Sequence, residues 1–116
     1  MQNPKFQIFK STANGQFYFR LRAMNGEIIL ASEGYTTKQG CLNGIQAVKV
    51  NAPFDSRYDR RKSINGQYYF VLKASNGEII GTSEMYTTEY ARENGIQAVK
   101  RDAPHAPVED LTLATV

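Results

Sequence analysis

The sequence predicts an α+β fold: two tandem β3-α-β repeats form one mainly antiparallel sheet, with two helices packed on one face and a pseudo-twofold axis between the repeats. Three observations carry this. Residues Asn14–Pro53 align with Asn65–Pro104 at an offset of 51 without a gap, and 26 of the 40 positions are identical. Each copy begins with alternating apolar positions and ends with apolar positions at helical spacing. Two copies are also too few for an open solenoid, so a closed pair is expected, like a homodimer fused into one chain. Residues 1–53 are the first repeat (βββα). Residues 54–116 are the second: a linker or edge strand, then ββα and a C-terminal strand. Together they make one structural domain.

KFQIFK (Lys5–Lys10) reads as the opening strand, and Asn14-Gly15 as the turn after it. In the second strand, Gln16–Met24, Phe17, Phe19, Leu21 and Ala23 take one face. Tyr18, Arg20, Arg22 and Met24 take the other. Asn25-Gly26 is a hairpin signal of the kind in which both central residues have positive φ. Glu27–Ser32 then runs back as the third strand, with Ile29 on the face of Glu27 by parity. Copy two repeats the pattern: Tyr68, Phe70, Leu72 and Ala74 oppose Tyr69, Val71, Lys73 and Ser75. The Asn76-Gly77 turn and Glu78–Ser83 follow.

The period then changes. Thr36-Thr37 and Thr87-Thr88 are N-cap candidates, and Thr36 with Gln39 spells a capping box. Cys41, Ile45, Val48 and Ala52 form a helical stripe whose later part returns as Ile96, Val99 and Ala103. Gly44 and Gly95 lie inside these helices at a cost of about 1 kcal/mol each against alanine. Since the stripe stays in phase across them, the helices are read as continuous, with glycine allowing close approach to the sheet or to the twin helix. Pro53 and Pro104 stop the helices. The linker Phe54–Ser63 is expected to close one copy and open the other, and Val108–Leu113 to form the last strand, burying Leu111 and Leu113.

The segments NGQFYFRLRAMNGEII, EGYTT and NGIQAVK…NAP, each present twice with small changes, resemble the YegP-like family of small bacterial proteins, a domain of unknown function. The resemblance covers nearly the whole chain. It implies β3-α-β units, tandem or dimeric, that share one sheet and exchange their last strands. It brings no established activity and no catalytic residues. Arg92 stands where Cys41 stands in the first copy, a departure from the repeat pattern.

No apolar run is long enough to span a membrane, and MQNPKFQIFK has no signal-peptide character, so a cytoplasmic protein is expected. One cysteine, Cys41, forbids an internal disulfide. One cysteine and one histidine, His105, do not make a structural zinc site, and no metal or other cofactor is expected. Cys41 reads as a small core residue and His105, between prolines, as a surface one. Hydrolase, nucleotide-phosphate and dinucleotide motifs are missing. Glu27 with Glu78 and Glu33 with Glu84 could meet across a pseudo-twofold, but charge at turns and helix starts accounts for them more simply. The expectation is therefore no enzyme.

The sheet face without helices is the candidate site. It presents Tyr18, Arg20 and Arg22 from copy one and Tyr69 and Lys73 from copy two. RYDRRK (Arg57–Lys62) could extend a cationic track. Aromatics interleaved with cations suit single-stranded nucleic acid. Against that, the net charge is only +3, and such side chains commonly cover sheet faces with their stems. A non-enzymatic module for a protein or peptide partner, using this face or the sheet edges, is the leading expectation, with single-stranded nucleic acid as the alternative and an enzyme of unrecognised type as a second. A fused pair is expected to act as a monomer.

Overall fold

A computed structural model describes residues 1–113; the last three residues of the second repeat lie outside the described residues. Among the described residues seven strands form one sheet: β1 (Lys5–Lys10), β2 (Phe17–Arg22), β3 (Ile28–Ala31), β4 (Tyr58–Lys62), β5 (Tyr68–Lys73), β6 (Ile79–Thr82) and β7 (Val108–Asp110). Their order is β4-β5-β6-β3-β2-β1-β7, antiparallel except for the parallel pair β1–β7. The helices α1 (Lys38–Asn51) and α2 (Glu89–Asp102) cover one face. The α+β reading with two fused units is what the structure has.

The pseudo-twofold passes between β3 and β6, which meet at Ala31 and Thr82. Each helix crosses it: α1 packs on β2, β5 and β6, and α2 on β5 and β3. After α1 the chain enters β4 beside β5. After α2 it enters β7 beside β1. The last strands are thus exchanged. At one edge a single strand, β4, ends one unit and begins the next; at the other the same two tasks fall to β7 and β1. The tail strand is shorter than expected, and its reason is different. Val108 packs on the core, whereas Leu111 and Leu113 are 47% and 65% exposed.

The core is the Phe19/Leu21 face of the sheet against the helical stripe, as alternation and phase required. Phe19, Leu21, Phe70, Leu72, Cys41, Val48, Ile96 and Val99 are fully buried or nearly so. Both helices run unbroken through their glycines. What approaches most closely is a tyrosine rather than the twin helix, and at Gly44 the Phe19 ring of β2 comes next, 3.1 Å from where a Cβ would lie. Tyr35 is drawn to the sheet by paired backbone bonds with Phe17, both 2.7 Å, and its ring passes beneath α1. A Cβ on Gly44 would lie 2.8 Å from Tyr35 Cζ; Gly95 and Tyr86 repeat the arrangement at the same distance.

Three local expectations are corrected. The hairpins are not two-residue turns with two left-handed residues. Gly26 N–H bonds to Ala23 O, Ala23 N–H bonds to Glu27 O, and only the glycine has positive φ (+86°). Asn25 Oδ1 instead accepts from Glu27 N–H at 3.0 Å, holding a three-residue loop with glycine at its end. The register between β2 and β3 then shifts after Leu21, so parity fails there and Ile29 joins Leu30 in the core. Finally, Thr37 and Thr88 are the N-caps, accepting from Gly40 and Ala91 N–H at 3.0 Å. Gln39 is three residues from Thr36 but bonds to Asn43, so the Thr36–Gln39 box does not form.

Candidate functional site

The helix-free face carries all five expected residues, but in two groups. Tyr18, Arg20 and Arg22 stand on β2; Tyr69 and Lys73 stand on β5. β3 and β6 lie between, so the groups are about 14 Å apart across the strands. RYDRRK does not extend one track. Arg60 lies on the helix side with Asp55 (3.1 Å) and Glu93 (2.8 Å). Arg57 donates to Asn51 Oδ1.

On the first-repeat half, Gln7 of β1 lies opposite Arg20 and organises the group. Its Oε1 accepts from Arg20 Nε and from Arg22 Nε, both at 2.8 Å. Its Nε2 donates to Glu109 Oε1 of β7 at 2.7 Å, and Lys5 sits 3.2 Å from the same oxygen. Gln7 and Lys5 hold the Glu109 carboxyl below the usual range. Arg22 Nη1 also donates to Gly26 O at 2.8 Å. The Arg20 guanidinium lies 4.7 Å from the Phe9 ring centre, and Phe9 stacks on Tyr18 at 5.7 Å. Tyr18 Oη accepts from Asn14 Nδ2. Burial, then repulsion from Arg22, lowers the proton affinity of Arg20.

The second-repeat half is built differently at matching places. Phe6 pairs with Leu21 and Tyr58 with Leu72, so Tyr58, Asp59 and Arg61 occupy the places of Phe6, Gln7 and Phe9. The offset is 52 here because the loop before β5 is one residue shorter than the loop before β2. Asp59 accepts from Arg61 (3.0 Å from Nε) and lies 3.4 Å from Lys73 Nζ. Arg61 first, then Lys73, holds its carboxyl below the usual range. Val71, at the place of Arg20, is buried. Sequence reasoning missed Gln7, Phe9 and Asp59. Strand alternation in KFQIFK could have found the first two, since Gln7 and Phe9 must oppose Phe6 and Ile8.

The paired-carboxylate idea meets a different geometry. Glu27 of one repeat and Glu84 of the other line one depression of about 490 Å3 with Tyr86, rather than equivalent residues meeting. Burial, then the charges of Glu27 and Glu84, raises the Tyr86 phenol. Cys41 is buried, and burial followed by the Asp110 charge pushes its thiol up to about 11. His105 is exposed. Among the described residues, no three His, Cys, Asp or Glu side chains are grouped to hold a metal ion. No helix among them is long and apolar enough to cross a membrane.

Comparison with known proteins gives a consistent result. A family model described as a domain of unknown function, DUF1508, matches residues 13–59 and again residues 63–110. A UPF0339 protein in the ptx operon 5' region of Stutzerimonas stutzeri is 50% identical over 91% of this chain and 95% of its own length. UPF0339 protein YegP of Escherichia coli K12 is 47% identical over 92% of this chain and 96% of its own. Solution structures of UPF0339 protein SO3888 from Shewanella oneidensis and of yegP from Escherichia coli superpose with TM-scores of 0.86 and 0.88. Their identities are 46% and 43%, and they cover 92% and 96% of this chain and 90% and 95% of theirs. Two matched units in tandem, one shared sheet and this similarity along almost the whole length place the chain in the DUF1508 family, the family of the UPF0339 and YegP proteins.

Proposed function

We propose that this protein is a non-enzymatic, monomeric binding module of the cytoplasm that receives a protein or peptide partner on the helix-free face of its sheet. The observation that carries the reading is the one-sided construction. Both helices lie on one side, and the other side presents Phe9, Tyr18, Arg20, Arg22, Tyr69 and Lys73 to its surroundings. Aromatic rings and arginine are the side chains that anchor protein interfaces. The edges support strand addition less well. β4 reads YDRRK, with charges of the kind that blunt an edge, and β7 has three residues.

Single-stranded nucleic acid is the weaker reading of the same face. Stacking of bases needs open ring faces, yet Phe9 and Tyr18 stack on each other and Arg20 covers Phe9. A phosphate track would also have to pass Asp59 and Glu109. A photo-cross-linking amino acid at Tyr69, on the open face, at Lys62, on the edge strand, and at Tyr90, on the outside of α2, separates the readings. The proposal expects a discrete, nuclease-resistant adduct from position 69 alone. An adduct lost on nuclease treatment transfers the face to nucleic acid. Adducts from position 62 or 90 as strong as that from 69 overturn the reading.

A further inference from the structure

We infer that Arg20 and Arg22, gathered around the Gln7 carbonyl oxygen, form a receptor for a carboxylate carried by an acidic peptide, and that the second repeat has the corresponding position closed by Asp59. The inference rests on the open face being the binding face, and it names what that face recognises. Two guanidinium groups converge on one neutral oxygen, each through Nε at 2.8 Å. Neither has a carboxylate partner among the described residues. Each guanidinium has five N–H donors. Protein bonds among the described residues take one on Arg20 and two on Arg22. The N–H groups left over are those on Nη1 and Nη2 of two half-buried side chains, the end of a guanidinium that can pair with a carboxylate through two bonds. Gln7 fixes this geometry without neutralising it. Its amide is oriented by Glu109, which accepts from Nε2 and leaves Oε1 for the arginines.

The second repeat supplies the contrast within the same molecule. There a carboxylate, Asp59, stands at the place of Gln7 and holds both Arg61 and Lys73. An external anion at that place would compete with an internal one. The flanks choose among anions for the first repeat. Glu109 lies beyond Gln7 on the edge side, and Glu27 and Glu84 share a depression with Arg22, so the receptor is bounded by like charge and takes one side-chain carboxylate at a time. One ligand per chain is the consequence, despite two repeats.

The test uses the full chain with isotope label, titrated with amidated tetraglutamate; tetraglutamine and inorganic phosphate are the comparison probes. The expected result is saturable movement of the Arg20 and Arg22 Nε–H signals and of the Gln7 and Tyr18 amides, with Arg61 and Lys73 unmoved and tetraglutamine silent. Gln7→Glu places a carboxylate where Asp59 stands in the other half, and should weaken binding about tenfold or more. Arg22→Gln removes one of the two charges and gives the same direction should Gln7→Glu not fold. Unchanged affinity in a folded Gln7→Glu or Arg22→Gln overturns the inference, as does equal movement of Arg61 and Lys73. Saturation by phosphate but not by tetraglutamate overturns the carboxylate assignment. Shifts elsewhere on the open face sink the receptor but leave the face reading standing; shifts confined to the helix layer remove both. No shift with any probe overturns the receptor, and the cross-link pattern then judges the face alone.

Discussion

Opposite Arg20 the first repeat has Gln7, whereas at the matching place beside Val71 the second has Asp59. The strands and their pairing correspond, apart from a loop one residue shorter before β5, yet one half gathers cations around a neutral oxygen and the other ties them to a carboxylate. The second contrast is at the pseudo-twofold, where equivalent residues differ as Leu30 and Gly81. A Cβ on Gly81 would meet Leu30 Cγ at 2.7 Å, so one side chain fills the space that symmetry would assign to two. The third is in the helices: Cys41 is buried, whereas Arg92 reaches out to Arg61 O and lies over the Tyr68 ring. The tyrosine–glycine contacts and the Thr37 and Thr88 caps, by contrast, recur in both copies. Features that build each unit are shared; features that differ lie on the axis, at the helix start and on the open face. A fused pair can therefore specialise its halves, which a symmetric dimer cannot.

The axis pair should give the largest effect. Leu30→Ala should cost about 3 kcal/mol in urea unfolding, since the side chain is fully buried. Gly81→Leu should cost at least about as much through overpacking. Exchanging the two residues should recover much of the loss. Costs that simply add in the exchanged protein would break the claim of complementarity.

The shared contacts come next. Gly44→Ala and Gly95→Ala should each destabilise by about 1–3 kcal/mol, although alanine is the better helix former, because the methyl group meets Tyr35 or Tyr86. Tyr35→Phe in the Gly44→Ala background should restore part of it. A gain in stability at either glycine would show that the tyrosine moves aside freely. Thr37→Ala and Thr88→Ala should each cost about 1 kcal/mol, and by similar amounts, since both caps bond at 3.0 Å. Unequal costs would mark the helix starts as another point of divergence.

The smallest effect concerns Cys41. Burial raises its thiol to about 11, so the unfolded chain loses this proton first as pH rises. Its contribution to stability is present below the ordinary thiol range of about 8.5 and declines from there towards about 11. Cys41→Ala should flatten the alkaline limb of the stability curve, and native protein should resist a thiol reagent at pH 8 until urea is added. Rapid native reaction would contradict the buried assignment.

Much of this was legible in the chain. Periodicity exposed the repeats, alternation assigned the core face to Phe19, Leu21, Phe70 and Leu72, and phase carried the helices through Gly44 and Gly95. The losses were local. Parity cannot register a bulge, so it assigns Ile29 to the wrong face. Two adjacent threonines satisfy the same cap pattern, and backbone geometry alone selects Thr37. Alternation puts Tyr18, Arg20, Arg22, Tyr69 and Lys73 on the face without helices but does not reveal its division into two groups. Whether two cations strengthen or cancel a site depends on the residue across the strand pair, and Gln7 lies 13 positions from Arg20.

The most direct test of the division removes the carboxylate that closes the second repeat. Asp59→Asn should leave the fold intact and raise the stoichiometry for amidated tetraglutamate from one per chain to two, with Arg61 and Lys73 signals moving in the variant alone. A stoichiometry that stays unchanged, with Arg61 and Lys73 still silent, would contradict the account, because the two halves would then differ for some reason other than the residue that gathers their cations.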